Sequence, residues 1–393
     1  MNDFKFFTPT RYIFGRESQK SAGSLSAELL GSRILLVYGQ SSAKKTGLLD
    51  EIEKSLQAHG VKFYEFGGIR PNPTDGPVRE GIRLCREESL SGILALGGGS
   101  VIDTAKAIAA GVPYQGDFWD FYSGKAVPSK ALPIGVVLTI PAAGSEGSGN
   151  SVITKEEGLR KVSIRTEYVL RPKFALMNPE LTYSLPPYQT ASGIVDMMAH
   201  ILERYFTPTQ GADVSDRISE GLLKAIIQNA PVVMQNPEDY DSRANIMWAG
   251  TLAHNGICGC GKTEDWASHG LEHEISALYD VAHGAGLAVI LLAYMKYMLS
   301  RKPQRIADLG RNVFNKETPD NSLAAEQAIE EFEKFFKSLG MPLTFAELGI
   351  GNPDIDLLVK KVHENKGETF GAYYPVTPEV SRAIYEIALG RPD

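Results

Sequence analysis

Strand-like and helix-like runs alternate along the first half of the chain. Apolar stretches, some nearly continuous and some alternating with polar residues, predict strands at residues 32–39, 61–66, 92–96 and 133–140. Apolar positions at helical spacing predict helices at residues 48–59, 78–87 and 101–110. Because strands that alternate with helices form parallel sheets covered on both faces, this half is predicted to be an α/β domain.

The pattern changes after residues 185–187, which read Leu-Pro-Pro. From residue 188 onward the segments are long, helical in period and rich in Ala, Leu, Ile and Met, with few strand-like runs. We therefore predict an α/β domain at residues 1–186 and an all-helical domain at residues 187–393. The length of 393 residues agrees with two domains, because it exceeds what most single hydrophobic cores support.

The composition excludes several classes of protein. It is that of an ordinary globular chain, with 43% hydrophobic and 22% charged residues, and its net charge of −7 argues against nucleic acid or an anionic membrane as a partner. The N-terminus lacks the basic and apolar regions of a secretory signal, and the longest apolar run, residues 286–294, is too short to span a bilayer. Three cysteines are too few for a disulfide framework, so we expect a cytoplasmic protein.

A glycine-rich turn stands where the strand at residues 92–96 ends and a helix begins. It consists of Gly97, Gly98, Gly99 and Ser100. Glycines let a ligand approach the backbone closely, and a helix N-terminus offers free N–H groups to phosphate, which favours phosphate binding over a plain tight turn. The turn is not GxGxxG and the chain has no GxxxxGK[ST], so a nucleotide would be bound by something other than an ordinary Rossmann unit.

The end of the strand at residues 32–39 bears on which dinucleotide would bind. An acidic residue there would bind the adenosine ribose hydroxyls and repel a 2′-phosphate. This chain instead has Gly39, Gln40 and Ser41, followed closely by Lys44 and Lys45. The segment therefore favours NADP(H) over NAD(H), and an ordinary strand-to-helix loop is the alternative.

Five of the seven histidines fall between residues 196 and 283. Asp196 and His200 are four residues apart, as are His269 and His273, and this spacing puts both side chains of a pair on one helix face. With His283 they form a set of one carboxylate and four imidazoles, which suits a divalent metal ion. Because a charged Asp on an apolar helix needs a partner, a hydrogen-bonded core pair is the alternative to a metal.

A protease interpretation competes for the same residues. His269–His273 reads HGLEH and matches the HxxEH motif, in which both histidines bind zinc and Glu272 activates water. Gly270 weakens the helix that this motif requires, and a protease would leave the turn at residues 97–100 without a role. His254 has no acidic neighbour in sequence, and we expect it to pack in the core.

Motifs that extend over nearly the whole chain carry a family resemblance. They are FFTPTRYIFG at 6–15, VYGQSSAKKTG at 37–47, PNPTDGPVREGIRLCRE at 71–87, LALGGGSVIDTAKAIAAG at 94–111, GSE at 144–146, RPKFALMNPELT at 171–182, D-x3-H at 196–200, H-x3-H at 269–273 and HGAG at 283–286. In this order and spacing they resemble the iron-containing (group III) alcohol dehydrogenase family, most closely its butanol dehydrogenase branch. The chain departs from the family's TxxxTGSE at Ala143, which leaves Thr139 or Ser148 to supply the missing hydroxyl.

The resemblance implies a fold and a set of site residues. The fold is an N-terminal α/β dinucleotide-binding domain, similar to dehydroquinate synthase, followed by a C-terminal helical metal-binding domain. The implied metal ligands are Asp196, His200, His269 and His283, and His273 is implied as a nearby proton carrier. Gly97, Gly98, Gly99 and Ser100 are implied to hold the cofactor pyrophosphate, and the residues implied to line the cofactor site are Asp103, Thr139 and Lys161.

The function predicted from these features is a metal-dependent NAD(P)(H) alcohol dehydrogenase, or aldehyde reductase, acting on butanol-like primary alcohols. NADP(H) is favoured over NAD(H), the metal is iron or zinc with nickel or manganese as alternatives, and the resemblance implies a homodimer. A polyol (glycerol-type) dehydrogenase or a dehydroquinate synthase-like lyase is the alternative within this fold, and the fourth metal ligand, His283, argues against both. A metal-stabilised binding protein is the alternative from another class.

Overall fold

The computed structural model describes residues 1–391, and the chain divides into two compact units. One unit spans Phe7–Ser184, and the other combines Met1–Phe6 with Leu185–Asp393. The first unit contains every described strand, and the second is helical apart from short connections. The predicted fold class, an α/β domain followed by an all-helical one, is thereby confirmed.

The first unit is built on a six-stranded parallel sheet with the strand order β1-β8-β5-β4-β2-β3, and β6 and β7 form a separate antiparallel pair. The strands are β1 (Arg11–Phe14), β2 (Arg33–Gly39), β3 (Lys62–Ile69), β4 (Gly92–Gly97), β5 (Ile134–Leu138), β6 (Asn150–Lys155), β7 (Arg160–Arg165) and β8 (Phe174–Met177). All four predicted strands are found, as β2, β3, β4 and β5. The sequence pattern missed β1 and β8, which are four residues long, and the hairpin of β6 and β7 outside the main sheet.

Helices connect these strands. They are α1 (Ala22–Leu29), α2 (Ser42–Lys45), α3 (Leu48–Ala58), α4 (Asp75–Glu87), α5 (Gly99–Gly111) and α6 (Trp119–Tyr122). The three predicted helices are found as α3, α4 and α5, whereas α1, α2 and α6 were not predicted. Ile52 and Leu56 of α3 belong to the same apolar core as Leu36 of β2, and all three side chains are fully buried. α3 ends before Gly60, whose φ of 71° is left-handed and suits glycine.

The strand order places a topological switch point at the centre of the sheet. From β2 the chain moves outward to β3, then returns to the other side of β2 to form β4, and continues outward to β5. β2 and β4 are paired in register through Tyr38 and Leu96, so both strands end at the same edge. Ligands of open parallel sheets bind at the carboxyl edge where the connections diverge in this way.

The second unit contains nine helices among the described residues. They are α7 (Pro187–Tyr205), α8 (Asp213–Gln235), α9 (Tyr240–His254), α10 (Ala267–Tyr279), α11 (His283–Leu299), α12 (Gln304–Asn312), α13 (Asn321–Ser338), α14 (Ile355–Lys366) and α15 (Pro378–Ala388). α7, α10 and α11 are buried along most of their length and contribute to one large apolar core. These three helices carry His200, His269, His273 and His283, whereas His254 ends α9.

Among residues 1–391, no single helix is long and apolar enough to cross a membrane. α11 and α12 reach the required length and hydropathy only as a pair, and the pair bends by 112° at its break.

Candidate functional site

Asp196 and His200 are buried polar side chains on the largely apolar helix α7. Asp196 and His200 are each 5% exposed and lie one helical turn apart. The His200 Nδ1 lies 2.9 Å from the Asp196 backbone oxygen and 3.1 Å from the Asp196 Oδ1. Because Nδ1 faces these oxygens, it is assigned the ring proton, and the His200 Nε2 is left as the acceptor nitrogen.

His269 on α10 faces this pair from a second helix. Its Nδ1 lies 3.1 Å from the Glu203 Oε1, and the same oxygen accepts the His269 backbone N–H at 2.8 Å. The His269 Nε2 is buried and has no hydrogen-bond partner among residues 1–391. A buried nitrogen lone pair without a partner is costly, so this atom suits a ligand that the protein holds here.

His283 opens α11 and brings a third helix to the cluster. Its Nδ1 contacts the Glu272 Oε2, and its Nε2 lies 3.9 Å from the Asp196 Oδ1. Its side chain is 23% exposed, which makes it the most accessible of the histidines around Asp196. A small molecule would therefore reach the cluster from the His283 side.

The three histidines share one arrangement that fits a divalent metal ion. In each of them Nδ1 is directed at a carboxylate or backbone oxygen, so Nε2 carries the free electron pair. The ring centroids of His200 and His269 lie 4.5 Å apart, and those of His269 and His283 lie 5.4 Å apart. One donor atom each from Asp196, His200 and His269 lies within 4.8 Å of the others. Metal-binding histidines commonly donate their second N–H to such oxygens.

Electrostatics favours the metal-binding form of His269. Burial lowers the pKa of His269 well below its ordinary value, and the neighbouring histidines His200 and His283 lower it further. The ring is therefore neutral at neutral pH and can donate its electron pair. Burial also raises the pKa of Glu203, with the Asp265 carboxylate adding to the effect. A nearby cation would oppose that rise, because opposite charge favours the ionised carboxylate.

His273 and His254 lie at the margins of the cluster. The His273 ring is 5.5 Å from that of His283, and one donor atom each from Glu272, His273 and His283 forms a second group within 4.8 Å. His254 is buried, as expected, and its Nδ1 accepts from Arg204 at 3.2 Å while its ring lies 4.1 Å from that of His200. His254 therefore packs directly against His200. It also contacts Arg204, a charged neighbour that the sequence pattern did not reveal.

The geometry of Glu272 argues against the protease interpretation. Its side chain is fully buried, and one carboxylate oxygen contacts the His283 Nδ1. A zinc protease needs this carboxylate to face a water molecule beside the metal. Here Glu272 holds a histidine of the next helix.

The predicted phosphate turn lies at the switch point of the first unit. Gly97 ends β4, and Gly98 and Gly99 lead into α5, whose N-terminus faces the carboxyl edge of the sheet. A Cβ atom at Gly97 would lie 2.5 Å from the Val101 Cγ2, and one at Gly98 would lie 2.8 Å from the Ile140 Cβ. Both positions therefore require glycine, and this turn stands at a helix N-terminus, the kind of position that suits a phosphate.

Other residues expected to contact the cofactor follow the strands of the sheet or belong to the separate hairpin. Thr139 directly follows β5, and its backbone N–H donates to the Gly97 oxygen at 3.1 Å. Gly39 ends β2, and Gln40 and Ser41 after it are exposed. Lys161 on β7 is buried and donates to the Asn72 Oδ1 at 3.1 Å.

Asp103 lies behind the turn, where it joins α5 to residues 145–152. Its carboxylate accepts the Ser145 Oγ at 2.6 Å and the Val152 N–H at 3.0 Å. Lys106, one turn further along α5, is fully buried and donates to the backbone oxygens of Ser145, Ser148 and Asn150 at 2.6–2.9 Å. Burial lowers the Lys106 pKa to about 8, although the nearby Asp103 opposes the change. The sequence pattern missed Lys106, whose one signal is a lysine on the apolar second half of α5.

Lys44 favoured NADP(H) in the sequence because of its positive charge, and the structure places a carboxylate nearby that partly offsets this charge. Its Nζ lies 3.8 Å from the Glu65 carboxylate on β3, and Glu65 also accepts the Tyr38 hydroxyl at 2.6 Å. The predicted preference for a 2′-phosphate therefore depends chiefly on the absence of a carboxylate at Gly39.

Family profiles match both halves of the chain. The profile described as "Iron-containing alcohol dehydrogenase" matches residues 9–179, and the profile described as "Fe-containing alcohol dehydrogenase family, C-terminal" matches residues 190–389. Each match lies within one of the two units of the structure.

Full-length relatives agree with these profiles. The protein named NADH-dependent butanol dehydrogenase A of Clostridium acetobutylicum is 39% identical over 388 residues, which cover 98% of this chain and 99% of that one. The NADPH-dependent aldehyde reductase YqhD of Escherichia coli is 38% identical over 392 residues, which cover 99% of this chain and all of that one. The crystal structure of the NADH-dependent butanol dehydrogenase A of Thermotoga maritima has a TM-score of 0.94 and 37% identity, with 99% of both chains covered.

Proposed function

The chain belongs to the iron-containing alcohol dehydrogenase family, and we propose that it uses NAD(P)(H) and a divalent metal ion to interconvert primary alcohols and aldehydes. One observation carries the proposal. His200 lies on α7 with Asp196, and His269 and His283 come from two further helices; in each of the three histidines an oxygen atom engages Nδ1 and leaves the Nε2 electron pair for a metal. Asp196, His200, His269 and His283 are the proposed ligands.

The residues of the chain have separate roles in this reaction. The metal, when bound, supplies Lewis acidity that polarises the substrate oxygen. The backbone N–H groups of Gly97, Gly98, Gly99 and Ser100 bind the cofactor pyrophosphate, with the positive end of the α5 dipole adding to the attraction. His273, 5.5 Å from the His283 ring, carries the proton that the substrate oxygen loses or gains.

The proposal extends to domain roles and assembly. Residues 1–186 would bind the dinucleotide and residues 187–393 the metal. Cys85, Cys258 and Cys260 are free thiols, which supports a reducing cytoplasm. The exposed Phe14 on β1, an edge strand of the sheet, supports assembly as a homodimer, and a monomeric mass by light scattering would contradict that assembly.

Removing and restoring the metal tests the function as a whole. A chelator-treated sample should lose its reduction of butanal, and reloading with iron, zinc, nickel or manganese should restore it to different extents. The measurement is the initial rate with NADPH and with NADH for each metal. Full activity in a sample shown by elemental analysis to contain no metal would contradict the proposal.

We further propose that NADPH binds more tightly than NADH and that Gly39→Asp reverses the order. The Asp side chain fits, because a Cβ atom at Gly39 would lie 3.7 Å from its nearest neighbour, the Ile69 backbone oxygen. Its carboxylate would accept hydrogen bonds from the ribose hydroxyls and repel a 2′-phosphate. The measurement is the dissociation constant of each nucleotide from fluorescence titration.

Gly39→Asn is the matched control for Gly39→Asp, because it adds the same volume without the charge. Gly39→Asn should weaken the binding of NADPH less than Gly39→Asp does. Equal affinities of the unmodified protein for both nucleotides would refute the reasoning.

A further inference from the structure

Two carboxylates with no role in the mechanism above lie against the histidine cluster. Glu203 on α7 and Glu272 on α10 are both 0% exposed. We propose that they are positioning residues, which orient His269 and His283 and strengthen the binding of the metal. This inference rests on the proposed function, since it assumes that the histidine cluster holds a divalent ion.

Glu203 restrains His269 through two contacts. A single oxygen, Oε1, accepts the backbone N–H of His269 at 2.8 Å and faces its Nδ1 at 3.1 Å. The first contact fixes the start of α10 relative to α7, and the second fixes the rotation of the imidazole ring. With both in place, the Nε2 of His269 can point only into the cluster, where it is buried without a protein partner.

Glu272 acts in the same way on His283, and Gly286 provides the space for it. One oxygen of Glu272 contacts the His283 Nδ1. The other, Oε1, is buried without a hydrogen-bond partner among residues 1–391, and it lies 2.5 Å from where a Cβ atom of Gly286 would be. Any larger residue at 286 would push the Glu272 carboxylate away from His283.

The two contacts have a chemical as well as a geometric effect. A carboxylate that accepts the Nδ1–H of an imidazole polarises this bond and gives the ring partial imidazolate character, and this makes Nε2 a stronger donor to a metal. Loss of such a partner typically weakens metal binding by about 10-fold to 100-fold. His200 has the Asp196 backbone oxygen in this role, so Glu203 and Glu272 complete the set of oxygen partners for the proposed histidine ligands.

Replacing each carboxylate by an amide of the same size tests the proposal. Glu203→Gln and Glu272→Gln should each bind Zn²⁺ and Co²⁺ about 10-fold to 100-fold more weakly than the unmodified protein. The measurement is competition with a chromophoric chelator on the purified full chain. Glu274→Gln is the matched control, because Glu274 is also buried on α10 but its Oε1 accepts from Asn365 at 2.7 Å. Its metal affinity should stay within about twofold of the unmodified value.

A second experiment depends on the Glu272–Gly286 contact alone. Gly286→Ala should weaken metal binding in the unmodified background and have little further effect in Glu272→Ala, because the clash is then gone. Gly221→Ala on α8 is the control for adding a methyl group to a helical glycine, since a Cβ atom there meets nothing within 4 Å. The rise in melting temperature on adding Zn²⁺, measured for each variant against its own metal-free value, should shrink in the weak binders.

The outcomes separate this inference from the proposed function. Unchanged metal affinity in both Glu→Gln variants, or additive effects of Glu272→Ala and Gly286→Ala, would overturn the positioning role while leaving the function intact. Failure of the unmodified protein to bind any of the metals would overturn the function and this inference together.

Discussion

Replacing His269 by alanine should remove the metal and the activity together. The variant loses a buried cluster nitrogen that has no protein partner among residues 1–391, and it leaves the Glu203 carboxylate facing a gap. The polarisation that a metal supplies is worth several kcal/mol, so a loss of about 4 kcal/mol corresponds to a roughly 10³-fold fall in kcat/KM. The measurements are metal content by elemental analysis and the initial rate of butanal reduction.

His59→Ala is the matched control for this experiment. His59 is exposed at the end of α3 in the other unit, and its Nδ1 contacts the Ser55 backbone oxygen. That variant should keep both metal and activity. A His269→Ala protein with a full complement of metal would show that the ligand assignment is wrong.

Placing a carboxylate at the start of α5 should abolish tight dinucleotide binding without harming the fold. At Gly99 a Cβ atom would meet only the Ala143 Cβ at 3.5 Å, which is ordinary contact, so Gly99→Asp fits. A carboxylate in the first turn of a helix even stabilises it by about 0.3–1 kcal/mol. The same charge about 4 Å from the pyrophosphate costs on the order of 4 kcal/mol at an effective dielectric constant of 20, or roughly 10³-fold in affinity. Fluorescence titration with NADPH measures the loss.

Gly99→Asn separates charge from size in this prediction. The amide has the same shape as the carboxylate but does not repel phosphate, so Gly99→Asn should bind NADPH at least about 10-fold more tightly than Gly99→Asp. The thermal stability of the Asp variant should equal or exceed that of the unmodified protein. Equal NADPH affinities of the two variants would place the pyrophosphate somewhere else.

Most of the first unit could be predicted from sequence because its pattern is local. Buried strands of a parallel sheet are nearly continuous apolar runs, and glycines such as Gly60 mark helix ends. β1 and β8 escaped prediction because four residues are too few to show a period. The hairpin of β6 and β7 escaped for a different reason, since it is paired outside the parallel sheet and is not apolar throughout.

In the candidate site, too, the local features could be predicted from sequence and the contacts between helices could not. Asp196 with His200, and His269 with His273, could be paired from sequence because residues four apart share a helix face. The role of Glu272 could not, because the HxxEH string is equally compatible with a catalytic base, and only its contact with His283 on the next helix distinguishes the two. The residue-by-residue ligand assignment stays a prediction that the His269→Ala experiment tests.

Sequence alone is enough to recognise the class of the protein: an α/β half, a helical half, a glycine-rich turn between a strand and a helix, and a histidine cluster typical of one dehydrogenase family. These are properties of neighbouring residues, whose spacing follows from the periods of helix and strand. The carboxylate oxygens that contact the histidines, those of Glu203 and Glu272, can be identified only from the three-dimensional packing. Glu203 and His269 are 66 residues apart in the chain, and no local period relates them. Their contact exists because apolar packing brings α7 and α10 together and leaves the two polar side chains no solvent to face.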